Sequence, residues 1–363
     1  MKIFIKLYRY RLPLKENLVL KGEKHRFRDG LLLKLTDEHR HTGWGEIVPL
    51  FGFSRENIDE ALEHAENLKY RLDGGELPEN LEELSGGFEK WLGKYHPATS
   101  VRCGLETAVL NLIADRRGVP LGRLLSDQYV TSIKVNALLS GSPDDVRQQA
   151  RLLPEQGYET VKLKVGGKPV EEDIDLTAAV RKILGDDIAL RLDANRAWEI
   201  DEALEFGHEV ERYRIEYIEE PLRDISLLDK FHEATGLNIA LDESLPETTP
   251  ERLEKQPGVS ALILKPTLLG GFETSLRFIR KACLLGVKSV ISATFESSIG
   301  ITALAHLAGT ISYEDSAHGL DTLKFFEDDI LTEPVEIKQG KIDLSLLPRP
   351  AESDMKNITE IAR

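Results

Sequence analysis

An α/β fold, a closed parallel (β/α) barrel carrying an α+β cap, is predicted by three features of the 363-residue sequence. The first fifty or so residues alternate apolar and polar side chains at the two-residue period of strands, and helical spacing takes over after Ser54. From about Val130 short β-branched runs alternate with charged amphipathic stretches, the rhythm of repeated βα units. Ionisable residues recur at the ends of those runs, about one βα repeat apart.

The N-terminal strands are Lys2 to Leu12 and two extended runs in GLLLKLTDEHRHTGWGEIVPL, joined by a polar turn at Asp37 to Thr42. SRENIDEALEHAENL begins like a capping box, with Ser54, Glu56 and Asn57 ahead of a helical period. A second helix is TSVRCGLETAVLNLIADRRG, with Leu105, Val109, Leu112 and Ile113 on one face and Gly118 as its stop. Eight barrel strands follow: SIKVNAL, TVKLKV, IALRLDA, IEYIEE, NIALDE, ALILKP, KSVISAT and a weaker one near TISYED. EPVEIKQGKIDL reads as a hairpin that returns to the N-terminal sheet. The expected domains are a cap over residues 1–128, a barrel over 129–326 and a returning segment over 327–363. Neither an internal repeat nor a low-complexity linker is visible.

Composition excludes several functions. A formal net charge of -15 argues against nucleic acid and anionic membrane as partners, since both require a basic footprint. The opening MKIFIKLYRYRLPL lacks the apolar core of a signal peptide, and no later run suits a membrane span, so a cytoplasmic protein is expected. Cys103 and Cys283 stand far apart, with no second Cys or His at metal spacing, and both read as buried small hydrophobes.

Lys164, Asp193, Glu219, Asp242 and Lys265 end the second to sixth barrel strands, at separations of 29, 26, 23 and 23 residues. A closed barrel would bring all five to its carboxyl-terminal mouth, where barrel enzymes place their chemistry. Strand parity points Lys162, Arg191 and Tyr217 the same way as Lys164, Asp193 and Glu219. Glu220 has the opposite parity, so Glu219 is the inward carboxylate. A strand-end charge taken singly is most simply a solvated surface residue. Five in register are not. Three converging carboxylates need a cation, and an all-oxygen set without Cys or His suits a hard ion, Mg²⁺ first and Mn²⁺ as the alternative. The adjacent lysines suit removal of a proton beside a metal-bound carboxylate, provided that one of them is neutral near pH 7.

VKLKVG (161–166), RLDANRAW (191–198), IEEP (218–221), LDES (241–244), LKPTLLGG (264–271) and ISATFESSIG (291–300) together resemble the enolase superfamily. The superfamily fold is a modified TIM barrel of (β/α)7β type with an α+β capping domain, and GWGEIVPLFGFSRE looks like the capping loop that reaches over its active site. Lysines on the second and sixth strands resemble the muconate lactonizing enzyme subgroup. Dipeptide epimerases typically carry an Asp-x-Asp near the last strand to hold an ammonium; HGLDTLKFF has Gly319 in place of the first aspartate and keeps only Asp321. GLDT, RLDANRAW and GEIVPLFGFS are similar to the o-succinylbenzoate synthases, lyases of menaquinone biosynthesis.

That resemblance implies a small anionic carboxylate substrate, 2-succinyl-6-hydroxy-2,4-cyclohexadiene-1-carboxylate, which loses water. It implies Lys164 as the base, Lys265 as the cation opposite, and Asp193, Glu219 and Asp242 as metal ligands. Lys162 and Arg191 would lie near the metal and substrate carboxylate, and Ser292 with the Gly319 backbone at the succinyl tail, Thr294 sharing the parity of Ser292. An N-succinylamino-acid racemase or a muconate-type cycloisomerase is the alternative on the same scaffold. The stretch from Leu14 to Arg28 matches no family pattern.

Glu220, Glu243 and Glu296 read as carboxylates that orient ligands rather than bind metal. His39 and His41 sit in a polar turn without a third ligand, and Gly166-Gly167 and Gly270-Gly271 read as tight βα turns rather than phosphate loops.

Overall fold

The computed structural model describes residues 1–20, 23–311 and 316–361. Three antiparallel strands, β1 (Ile3–Leu20), β2 (Glu23–Asp37) and β3 (Thr42–Ile47), open the chain. The alternation that predicts them also sorts their faces. Ile3, Ile5, Leu7, Leu31, Leu33 and Leu35 join the main core, whereas Tyr8, Tyr10, Leu12, Leu32 and Trp44 form a separate buried cluster with Ile299, Phe326 and Ile330.

The first helix spans Ile58–Leu72, and its cap is Asn57 rather than Ser54. The Asn57 side chain accepts from the N–H groups of Asp59 and Glu60, while Glu60 accepts from the Asn57 N–H at 2.8 Å, so the capping box lies three residues later than expected. The Ser54 hydroxyl instead accepts from the Leu50 N–H at 2.9 Å. The helix Thr99–Arg117 ends at Gly118, whose φ of 66° lies in the left-handed region. It presses on β3 so closely that a Cβ at Gly45 would stand 1.8 Å from the Gly104 carbonyl oxygen.

The barrel strands are β4 (Ser132–Lys134), β5 (Ala137–Leu139), β6 (Thr160–Lys164), β7 (Ala189–Asp193), β8 (Ile215–Glu219), β9 (Ile239–Leu241), β10 (Val259–Leu264) and β11 (Lys288–Ile291). From β5 to β11 they form one parallel sheet in sequence order. Amphipathic helices such as Val170–Leu184, Ile200–Val210 and Phe272–Leu285 return the chain between them. The first predicted strand breaks into β4 and β5, and the eighth is not where the sequence suggests. Ser312–Asp315 of TISYED lie outside the described residues, and closure is made by His318 and Gly319. The His318 backbone bonds to Lys134 and Asn136, and that of Gly319 to Ile291 and Ala293, all at 2.8–2.9 Å.

The C-terminal segment divides its pairing. β12 (Lys341–Asp343) lies antiparallel to β4, while β13 (Ile358–Glu360) pairs with β1. The EPVEIKQGKIDL hairpin therefore does not return to the N-terminal sheet. Burial of Ile342 against the main core, beside Ile133 on β4, decides its place. Cys103 is buried as expected, but Cys283 is exposed on the solvent face of its helix. No helix among the described residues is long and apolar enough to cross a membrane.

Candidate active site at the barrel mouth

The strand register places Lys164 beside Asp193 and Asp193 beside Glu219, so three adjacent strands end in one ionisable row. Asp242 and Lys265 each follow the last residue of their strand. Asp193, Glu219 and Asp242 are buried, and two ammonium groups stand among them. Lys162 Nζ is 3.0 Å from both Asp193 Oδ2 and Glu219 Oε2, and Lys265 pairs with Asp242 Oδ2. Lys162 is buried one pleat below Lys164, whose chain reaches solvent at the mouth while the protein packed around its amine desolvates it.

The two terminal lysines are unlike in character. Burial, with the nearby Lys162 and Lys265 ammoniums, holds Lys164 below the ordinary lysine range despite Asp193 and Glu243. Burial opposes the charge on Lys265 too, but Asp242 and Glu243 outweigh it and raise the group. The site thus holds one lysine inclined to be neutral and one inclined to stay cationic. Among the carboxylates, Lys162, Lys164 and Lys265 overcome burial and hold Asp193 down to about 2. Burial and the charge of Asp193 push Glu219 up to about 7, and burial raises Asp242.

Carboxylates outside this row position it. Glu220 turns away from the mouth and accepts from the backbone N–H groups of Asp242 and Ser244, both at 2.9 Å, which fixes the start of the loop after β9. Glu243 accepts from Asn195 Nδ2 at 2.7 Å, and Asn195 Oδ1 accepts from Lys164 Nζ at 3.2 Å. Glu296 accepts from Thr267 Oγ1 at 2.9 Å and from Thr294.

The mouth opens into a cavity of about 590 Å³, solvent at its entrance included, lined by Lys162, Lys164, Asp193, Lys265, Ser292 and Gly319. Thr294 is fully buried against Glu296 and does not line it, which leaves Ser292 of the two. Gly319 has no room for a side chain: a Cβ would lie 2.7 Å from the Ser292 hydroxyl. Arg191 is not brought to the cavity. It points inward as parity requires, from the same layer as Lys162, but its guanidinium turns toward the opposite end of the barrel. There it bonds to Glu216 at 2.8 Å and to the Ala317 carbonyl at 2.7 Å, and lies over the Tyr217 ring. Asp321 lines the cavity but is paired with Lys324 at 2.6 Å.

Sequence reasoning puts the GWGEIVPLFGFSRE loop over the site but does not name the side chains of the cavity's apolar wall, Leu20, Leu50, Phe53 and Phe295. Their places are set by the cap. Arg28, at the end of the unmatched stretch, is buried and donates to the carbonyls of Val48, Pro49, Thr294 and Phe295 at 2.6–3.2 Å, clamping a cap loop to a barrel loop. Asn195 is also missed, although its position two residues beyond Asp193 is the signal that would have found it.

The donor set fits a hard divalent ion in chemistry and placement: three buried carboxylates on neighbouring strand ends with no sulfur or imidazole among them. No group of three acidic, His or Cys side chains among the described residues is gathered tightly enough to hold an ion as the side chains stand. Lys162 pairs with Asp193 and Glu219, and Lys265 with Asp242, so an ion would have to enter among ion pairs already formed.

Residues 145–348 match the enolase C-terminal domain-like family, and residues 3–86 match the MenC N-terminal domain. The chain is 33% identical over 337 residues to o-succinylbenzoate synthase of Pectobacterium atrosepticum, covering 90% of this chain and 92% of that protein. The chain belongs to the o-succinylbenzoate synthase family of the enolase superfamily. It is also 34% identical to the Arabidopsis thaliana chloroplastic protein PHYLLO over 84% of its own length, and spans only 20% of that longer protein. Among solved structures, a dipeptide epimerase from Enterococcus faecalis, complexed with Mg and the dipeptide L-Leu-L-Tyr, superposes with a TM-score of 0.85 at 26% identity, covering 95% of this chain and 97% of that one. This chain and that neighbour thus share the modified TIM barrel with its antiparallel cap.

Proposed function

We propose that this enzyme acts as an o-succinylbenzoate synthase, removing water from 2-succinyl-6-hydroxy-2,4-cyclohexadiene-1-carboxylate to form aromatic o-succinylbenzoate in menaquinone biosynthesis. The observation that carries the mechanism is the unlike pair of lysines beside a row of three buried carboxylates. Asp193, Glu219 and Asp242 would hold Mg²⁺, with Mn²⁺ as a substitute; the ion supplies the charge that stabilises an enediolate on the substrate carboxylate.

Lys164, the lysine inclined to be neutral, takes the ring proton next to the carboxylate. Lys265 remains an ammonium and offsets the negative charge that develops. The Lys164 ammonium then returns its proton to the departing hydroxyl, so that one C–H and one C–O bond break and water leaves. Lys162 lies deeper, against Asp193 and Glu219, and holds their charge. The Ser292 hydroxyl and the Gly319 backbone are assigned to the succinyl tail, beyond β11, the strand next to the one that ends at Lys265. Arg191 acts on the site only from beneath, by filling the barrel under the carboxylate row.

A dipeptide substrate would need a free anion for its ammonium, and Asp321 is already paired with Lys324. For the domain organisation we assign 1–128 to the cap, 129–326 to the barrel and 327–363 to a segment serving both; the pairing of β13 with β1 and of β12 with β4 supports this division. The unpaired Cys103 and Cys283 support a reducing, cytoplasmic setting.

The test is loss of diene absorbance when the purified enzyme meets freshly made substrate with Mg²⁺ and then with EDTA. Rapid, metal-dependent conversion to o-succinylbenzoate is expected. No conversion with the metal present would discard this activity. Lys265→Arg separates the racemase reading, since a dehydratase needs one base and should keep part of its rate, whereas two-base racemisation of an N-succinylamino acid would be lost.

A further inference from the structure

A second cavity lies away from the barrel mouth, where β3, the helix Thr99–Arg117, the helix Ser298–Ala308 and the strap after β12 meet. Its lining combines an apolar wall with polar groups that lack partners. Ile299, Thr302 and His306 fall at helical spacing on one face of the helix Ser298–Ala308, and all three line it. Trp44, Leu121 and Leu344 complete the buried part of the wall.

Two buried polar atoms on this lining, the Trp44 indole Nε1 and the Thr302 hydroxyl, have no hydrogen-bond partner among the described residues. Trp44 is 3% exposed and Thr302 9%. An unpaired buried donor is a cost to the folded protein that a ligand acceptor removes on binding. His306 uses Nδ1 toward the Tyr129 hydroxyl at 2.8 Å, which leaves Nε2 for the cavity. Arg349, exposed on the strap, stands close enough to His306 to add to the lowering of its pKa by burial. Asp115, the acidic residue on the lining, is engaged by the Thr42 N–H at 2.9 Å.

The geometry points to a second ligand site that takes a small amphipathic anion: an apolar ring or chain against Ile299, Leu121 and Leu344, and an acidic head group facing Arg349, Thr302 and Trp44. The Trp44 indole N–H, the Thr302 hydroxyl and the Arg349 guanidinium are donors, and Asp115, the anion on the lining, is already engaged, so an acceptor-rich head group is the complement. This site shares no lining residue with the mouth. The helix that carries it begins at Ser298, three residues after Phe295 of the catalytic cavity.

The probe is 8-anilinonaphthalene-1-sulfonate, an apolar aromatic anion, titrated by fluorescence into the folded full-length protein. Saturable binding at one equivalent is expected. Arg349→Glu, a change at an exposed residue, should weaken it by at least about tenfold, the loss expected when a charge-assisted hydrogen bond is removed. Thr302→Val should weaken it by a smaller factor. Lys164→Glu, which reverses a charge at the mouth, should leave it unchanged. Affinity indifferent to both Arg349→Glu and Thr302→Val, affinity lost in Lys164→Glu, or binding that does not saturate would each overturn the proposal. Unchanged thermal melting of Arg349→Glu separates a lost contact from a lost fold.

Discussion

At the scale of single residues, the same two-residue parity that identifies a strand also identifies what its end can do. Lys164, Asp193 and Glu219 were legible because three runs of similar length end in a charge, and Glu220 could be set aside because it faces the other way. Depth was not legible. Arg191 obeys the parity yet sits below the cavity, because parity fixes the side of a strand and says nothing about which way along the barrel a long side chain turns. The loop carrying Leu50 and Phe53 was legible as one that reaches over the site, but which of its side chains form the wall, and that Leu20 joins them, depends on the placement of the cap. Three predictions belong here. Lys164→Met should lower kcat by about 10²–10⁴, the usual contribution of a general base, with a much smaller change in KM, as read from initial rates. Because Lys164 must be neutral to act and its pKa is lowered, activity should rise with pH along a limb centred below the ordinary lysine pKa of ~10.4; an acid limb centred at or above that value would remove it from the role of base. Asp242→Asn should raise the Mg²⁺ concentration needed for half-maximal activity, with far-ultraviolet circular dichroism unchanged. Wild-type metal dependence would take Asp242 out of the ligand set.

At the scale of elements, the contact between cap and barrel is concentrated at Glu46 of β3. This buried carboxylate accepts from the Ser297 N–H at 3.0 Å, the Ser297 hydroxyl and the Gly300 N–H at 2.8 Å, and the Tyr10 hydroxyl, so it caps a barrel helix from another sheet. Burial is the main cause that raises its pKa to about 7, against hydrogen bonds that lower it. An unfolded Glu titrates near ~4.3, so between that value and about 7 the folded protein binds the extra proton, and stability falls as pH rises through this window. Glu46→Gln should flatten that slope in urea unfolding measured from pH 5 to 8. Glu46→Ala should cost about 3 kcal/mol or more, because it strands several buried donors. Elements were read well from the sequence where their pattern is local, as in the helix Thr99–Arg117 with its Gly118 stop. They were misplaced where the partner is remote: β12 and β13 look alike as short strands, and only the surfaces they meet send one to β4 and the other to β1.

At the scale of the whole molecule, the chain begins and ends in the same sheet, and charged groups are buried across the seam between cap and barrel. Besides Glu46, Glu273 of a barrel helix accepts from the N–H groups of Gly86 and Glu89 at 2.9 Å and from Arg102 at 3.2 Å. Separating the two parts would expose these groups without partners, so thermal unfolding should be one cooperative transition, coincident by near- and far-ultraviolet circular dichroism. Two resolved transitions would show that cap and barrel fold independently. The Arg28 clamp has a different kind of consequence. All four of its acceptors are main-chain carbonyls, which every amino acid supplies. The loops at Val48–Pro49 and Thr294–Phe295 are therefore clamped through their backbones, whichever side chains stand at positions 50, 53 and 295. A lineage carrying this clamp can exchange the wall of its cavity by point mutation while the lid stays shut, so new substrates become reachable through sequences that still fold.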